Sequence, residues 1–79
     1  MINGFKIGEL YALNRQTMLF TRNDGIDFKK LYEGDVVIFL GKTMHNADFN
    51  EFEYKFMTKH GMLCRLFETG DCDEWFEKL

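Results

Sequence analysis

The sequence predicts a mostly β fold, a small barrel of about five antiparallel strands with a short helical segment at the C-terminal end. Two observations predict it. Short apolar runs rich in β-branched and aromatic residues recur along the chain, and Gly or Asn-Asp-Gly turn signals separate them. The 79 residues make one domain over 1–79, and 16% of them are aromatic, which fills a small core efficiently. Such strands commonly curl into barrels, because closure removes exposed strand edges.

The N-terminal half carries the first strand signals. Residues 7–13 and 17–21 predict two strands, and the short polar link at 14–16 predicts that they form a hairpin. The Asn-Asp-Gly sequence at 23–25 predicts a turn, because these residues tolerate positive φ. Residues 26–33 fit no single period.

Residues 34–42 give the clearest strand signal of the chain. Five consecutive apolar residues, 36–40, lie between Gly34 and Gly41. A run this short and apolar predicts a central strand that is buried on both faces. Residues 43–50 are interpreted as a loop.

The C-terminal half predicts a hairpin followed by a tail. Residues 51–58 alternate, which places their aromatic side chains on one face. His60-Gly61 predicts the hairpin tip, and residues 62–68 predict the returning strand. The tail predicts a short helix capped by Asp71 or Asp73, with acidic groups where the helix dipole favours them.

Two segments share one local pattern, which reads apolar, variable, variable, Gly, acidic, apolar. They are residues 5–10 and 31–37, and they resemble the Gly-acid entries into strands of SH3-like and KOW-like barrels. Residues 54–64 resemble the last long hairpin of those barrels, and the acidic, aromatic tail resembles the helical segment that closes some of them. Binding of proline-rich peptides is not implied, because the tandem Trp and the Pro-x-x-Tyr segment of eukaryotic SH3 domains are absent. In size, lack of proline and tail composition the chain also resembles small orphan proteins of bacteriophages.

Charge and cysteine content favour a cytoplasmic binding protein, in the host cytoplasm if the chain is viral. The net charge is −3, which argues against sequence-independent nucleic-acid binding over the whole surface. Residues 1–42 carry a net +1 and residues 43–79 a net −4, so the second half suits a basic partner surface. No apolar run predicts a membrane span or a secretory signal, and two cysteines do not make a disulfide framework.

The sequence predicts no enzyme, no cofactor and no metal site. Cys64 with His60 is the only nucleophile and base pair of suitable types, and inert packing is the competing interpretation. His45, His60, Cys64 and Cys72 are possible zinc ligands, yet only His60 and Cys64 have the close spacing of structural sites.

The tail supplies the first candidate binding site, for a protein partner or a second copy of the chain. Trp75, Phe76 and Leu79 are predicted to share one flank, either sealing the barrel or forming an interface with an acidic rim. The candidate protein-binding residues are Asp71, Asp73, Glu74, Trp75, Phe76 and Glu77.

Residues 20–32 supply the alternative, a single-stranded nucleic-acid site. Aromatic and basic side chains interleave there, as they do on surfaces where bases stack. The candidate residues are Arg22, Lys29, Lys30 and Tyr32. The competing interpretation places Phe20, Phe28 and Tyr32 in the core. The leading functional hypothesis is therefore a non-enzymatic protein-binding module, such as a phage regulatory or assembly factor, with nucleic-acid binding as the alternative.

Overall fold

Seven strands form one antiparallel sheet in a computed structural model that describes residues 2–22, 28–70 and 72–79. The strands are β1 (Leu10–Leu13), β2 (Thr17–Arg22), β3 (Phe28–Tyr32), β4 (Val36–Asn46), β5 (Glu51–Thr58), β6 (Leu63–Thr69) and β7 (Phe76–Lys78). Two 3-10 helices, η1 (Ala47–Phe49) and η2 (Asp73–Trp75), lie between strands. The order across the sheet is β3-β2-β6-β5-β4-β1-β7. The prediction of a mostly β fold is confirmed.

The sheet does not close into a barrel. Over the described residues, β3 pairs with β2 alone and β7 pairs with β1 alone, so these two strands are the edges. The expected removal of strand edges by closure is therefore not found, and each edge meets a different environment.

The predicted hairpin between the first two strands is wrong. β1 pairs with β4 and β7, whereas β2 pairs with β3 and β6. The backbone at the end of β1 is used elsewhere: Leu13 N–H donates to the Asp35 carbonyl at 2.9 Å, and Asn14 N–H to the Trp75 carbonyl at 2.9 Å. Residues 14–16 therefore connect β1, which lies beside β4 and β7, to β2, which lies beside β3 and β6.

The apolar run of the predicted central strand lies in β4, which pairs with β1 on one side and β5 on the other. The strand is longer than expected and includes residues 43–46, which were interpreted as loop. Its burial alternates, with Val37 and Phe39 buried and their neighbours half-buried, so the expectation of burial on both faces is wrong. The register with β5 shifts between Phe39 and Gly41, as it does at a β-bulge.

The β5–β6 hairpin agrees with the sequence prediction. Tyr54 and Phe56 of β5 are buried, and Gly61 turns the chain at φ +83°. Asn50 also has a positive φ, 53°, at the end of η1, a conformation that Asn tolerates better than most residues.

An aromatic cluster surrounds Phe5, a half-buried residue that packs against the core. The Phe5 ring stacks on Phe39 at a centroid distance of 4.8 Å and meets Tyr11 and Phe76 edge-on at 4.9 and 5.1 Å. Residues before β1 thus add a large side chain to the aromatic packing. The sequence placed Phe5 only within a turn pattern, because nothing local shows that a residue will pack against a distant core.

The tail forms η2 and β7 in place of the predicted helix. The residue before η2 is Cys72, and no side chain caps the turn, so capping by Asp73 is wrong and Asp71 lies outside the described residues. Trp75, Phe76 and Leu79 do not share a flank: Phe76 is fully buried, Trp75 is half-buried against the core, and Leu79 is 60% exposed. A strand alternates its side chains between faces, which separates residues that a helix would group.

Candidate binding site on the β3 edge

The exposed face of β3 carries two aromatic side chains with a lysine between them. Phe28 is 66% exposed and Tyr32 is 54% exposed. Lys30 is exposed as well, and its Nζ lies 5.6 Å from the Tyr32 ring centroid, within cation–π range. The interpretation that placed Phe20, Phe28 and Tyr32 together in the core is correct only for Phe20, which is fully buried.

The opposite face of β3 borders a shallow cleft of about 190 Å³. Leu31 is buried at its base, and Lys29 is half-buried beside it. Lys59 and His60 reach this cleft from the β5–β6 turn. The sequence marked His60 as a hairpin tip, a possible base and a possible zinc ligand, and it gave Lys59 no role, because only the topology brings that turn next to β3.

Among the described residues that line this cleft, basic side chains outnumber carboxylates. Lys29 and Lys59 lie in it together with His60 and one carboxylate, Asp35. The Asp35 carboxylate already accepts a hydrogen bond from Tyr32 N–H at 2.8 Å. With Lys30 on the other face, the β3 edge presents positive charge although the whole chain is acidic.

The backbone of β3 has donors that point away from β2, its neighbour among the described strands. Tyr32 N–H is directed to Asp35 and not to β2. Since N–H groups alternate in direction along an antiparallel strand, those of Phe28 and Lys30 also face outward, and those of Lys29 and Leu31 face β2. Outward N–H and C=O groups on an edge strand can pair with a strand from another molecule.

The other nucleic-acid candidate, Arg22, ends β2 and pairs in register with Cys64 of β6. Its side chain is outside the described part of the structure. The structure therefore brings Lys29, Lys30 and Tyr32 to one edge strand but divides them between its two faces, with Lys29 on the cleft side.

The tail candidates are mostly engaged within the chain. Asp73 accepts a hydrogen bond from Gly4 N–H at 2.7 Å, and Glu77 accepts one from Asn14 Nδ2 at 2.8 Å. Trp75 lies 4.9 Å below the Arg15 guanidinium, and Glu74 is exposed. Phe76 is wrong as a surface contact, because its side chain is completely buried.

The two cysteines lie in the core. Cys64 and Cys72 are both buried, and they do not form a disulfide with each other. Burial raises the pKa of the Cys64 thiol to about 11, against an opposing effect of the Lys29 charge. A thiol that stays protonated at neutral pH is a weak nucleophile.

Within residues 2–22, 28–70 and 72–79, no group of three His, Cys, Asp or Glu side chains is arranged to hold a metal ion. The same part contains no helix with the length and apolar character needed to cross a bilayer.

Comparison with known proteins gives no relative to argue from. No protein-family model matches the chain, and no curated protein or solved structure matches it. The site must therefore be interpreted from its own geometry.

Proposed function

We propose that this chain is a non-enzymatic binding module that takes an extended, acidic segment of a protein partner along β3. The observation that carries the proposal is the open edge of β3, with Phe28 and Tyr32 exposed on one face. A partner strand would gain main-chain hydrogen bonds from the edge and side-chain contacts from its two faces. The lysines on those faces favour carboxylates in the incoming segment.

We further propose that the architecture is SH3-like, with a sheet that stays open between its edge strands β3 and β7. Three features support it: Gly34-Asp35 leads into β4, a long β5–β6 hairpin follows, and a short 3-10 turn precedes the last strand. Each corresponds to a part of the resemblance that the sequence carries. The pairing of β7 with β1 brings the C-terminal segment back to the first strand.

A cytoplasmic setting is part of the same proposal, supported by Cys64, a buried cysteine that forms no disulfide. Origin in a bacteriophage and a role in regulation or assembly stay predictions from the sequence. Self-association through β3 is one form that the proposed strand addition can take.

Proline substitution tests strand addition directly. Lys30→Pro removes an outward N–H, whereas Lys30→Ala removes only the charge and the stem. The probe is a capped peptide of alternating Glu and Val, titrated into ¹⁵N-labelled protein. We expect saturable shifts of the β3 amides, weaker binding to Lys30→Ala, and no binding to Lys30→Pro.

Two results would contradict the proposal. Equal peptide affinity for Lys30→Pro and Lys30→Ala would show that the main chain takes no part. No saturable shift with the wild-type protein would indicate that the lysines only protect the edge from unwanted pairing.

A second candidate function, single-stranded nucleic-acid binding, is favoured by one observation. Two exposed aromatic rings flank a lysine on one face of a strand, which is a surface on which bases can stack. Replacing Arg22, Lys29 and Lys30 together with Ala should then lower both the affinity for oligo(dT) and its salt dependence. Nucleic-acid binding would respond equally to Lys30→Pro and Lys30→Ala, which separates it from strand addition.

A further inference from the structure

A second cavity, of about 410 Å³, lies on the other half of the molecule between the N-terminal segment and the β4–β5 ladder. We call it the Lys42 cleft; its walls include Phe5, Ile7, Phe39, Lys42, Tyr54 and Asp73. Its volume falls within the range of small-molecule sites, about 300–1,000 Å³. The cleft shares no wall residue with the β3 cleft, so the inference is independent of the proposed function.

The floor of the Lys42 cleft is aromatic. Phe5 stacks on Phe39 at 4.8 Å, and the Phe5 and Tyr54 ring centroids are 5.8 Å apart. Ile7 stands at the rim with 73% of its surface exposed. These side chains offer apolar contact to the body of a ligand.

Lys42 places a positive charge beside this apolar floor. In register it pairs with Tyr54, and its Nζ lies 4.2 Å from the Phe52 ring centroid and 5.2 Å from that of Tyr54. No carboxylate of the described residues forms an ion pair with it. An ammonium held against aromatic rings without an anionic partner retains its capacity for a charge-assisted hydrogen bond.

Asp73 determines which way round an anionic ligand lies in the cleft. It lines the same cleft, and its Oδ2 accepts the Gly4 N–H hydrogen bond at 2.7 Å. A negative group is therefore disfavoured near Asp73 and favoured near Lys42. We infer that the Lys42 cleft binds an apolar carboxylate, with the carboxylate on Lys42 and the apolar body over Phe5 and Tyr54.

The test titrates 3-phenylpropionate into ¹⁵N-labelled protein and repeats the titration with the neutral amide, 3-phenylpropionamide. We expect saturable shifts at Gly4, Ile7 and Lys42, with the acid bound about tenfold more tightly than the amide, as a hydrogen bond to a charged group implies. Equal affinity of acid and amide would overturn the inference, as would shifts confined to other parts of the chain.

Matched variants test whether the Lys42 ammonium is the group that binds the carboxylate. Lys42→Met keeps the apolar stem and should lose about tenfold in affinity for the acid, whereas Lys42→Arg should retain binding. Lys55→Met is the control. Lys55 follows Tyr54 in β5, so its side chain lies on the other face of the strand, away from the Lys42 cleft, where it forms an ion pair with Glu53. Circular dichroism checks that each variant is folded. Unchanged affinity in a folded Lys42→Met variant would also overturn the inference.

A peptide that ends in Phe distinguishes two natural sources of an apolar carboxylate, the C-terminus of a protein chain and a free small acid. If its free C-terminus binds more tightly than 3-phenylpropionate and its amidated form does not bind, the natural ligand is a chain terminus. If the small acid binds more tightly, the natural ligand is a free acid. Failure of both acids to bind would reject the site.

Discussion

The two edges of the sheet differ in how they are joined to the rest of the chain. At the β7 edge, Phe76 is buried in the core, and the turn before the strand is tied to the N-terminal segment, because Ile2 N–H donates to the carbonyl of Asp73 in η2 at 3.3 Å. At β3, Phe28 and Tyr32 are more than half exposed, and the described residues supply no second strand. An edge strand that buries a side chain in the core serves stability, whereas an edge with exposed aromatic and basic side chains is available to a partner.

Removing the β7 edge is the largest perturbation that the comparison suggests. Deletion of residues 71–79 removes β7 together with Phe76 and Cys72, both 0% exposed, and uncovers β1. We expect loss of cooperative folding, measured by circular dichroism during heating. A truncated protein that melts near the wild-type temperature would show that the β7 edge is dispensable.

Two phenylalanines give a matched test of the same contrast. Phe5→Ala removes a half-buried ring that packs against the aromatic core and should cost about 1.5–3 kcal/mol in the free energy of unfolding. Phe28→Ala removes an exposed ring and should change the stability by less than about 0.5 kcal/mol. Urea denaturation measures both, and a similar cost at the two positions would remove the distinction between the edges.

Proline at neighbouring lysines of β3 probes the direction of the backbone. Lys29→Pro deletes an N–H that faces β2 and should destabilise the protein by about 1–3 kcal/mol. Lys30→Pro deletes an outward N–H and should cost less than about 1 kcal/mol. Denaturation curves of the two variants, compared with Lys29→Ala and Lys30→Ala, give the difference. The reverse order would mean that the pairing pattern of β3 is opposite to the one inferred.

The Cys64 thiol gives a pH-dependent test at the junction of β6 and β2, where Cys64 pairs in register with Arg22. Its pKa is raised from 9.0 to about 11 by burial, so the folded state disfavours the thiolate. This contribution to stability is fully present below pH 9 and is lost as the pH rises through about 11. Cys64→Ala should therefore reduce the alkaline loss of stability, as measured by thermal melts at increasing pH. An identical alkaline profile in the variant would show that other groups account for the loss.

The smallest effect concerns the exposed ion pair between Glu9 and Lys78 of β7. The hydrogen bond from Lys78 lowers the pKa of Glu9 below its ordinary value of 4.5, and the Lys78 charge acts in the same direction. Its small stabilising effect is present above pH 4.5 and is lost as the pH falls through the lowered pKa. An NMR titration of Glu9 should give a higher pKa in Lys78→Met, and added salt should shrink the difference. An unchanged pKa would show that the pair does not form in solution.

The candidate site was only partly accessible to sequence reasoning. Lys29, Lys30 and Tyr32 were identified by the alternation of basic and aromatic side chains, but Phe28 was weighed as core. Burial of a given aromatic residue depends on which strands cover it, and in the part of the chain that the structure describes β3 has a neighbouring strand on one side. The tail was misjudged for a related reason, because its apolar residues were grouped by a helical period that the chain does not adopt.

Alternation and turn residues act over a few positions, so the mostly β class, the apolar run in the first half of β4 and the β5–β6 hairpin could be predicted from the sequence. The whole fold was needed to show that β1 and β2 do not pair with each other, that Phe5 packs against the core and that η2 leads into a strand. Those outcomes depend on hydrogen bonds between residues far apart in sequence, such as Asn14 N–H to the Trp75 carbonyl. Strand partners are selected by the burial and backbone pairing of the whole sheet, which local patterns do not encode.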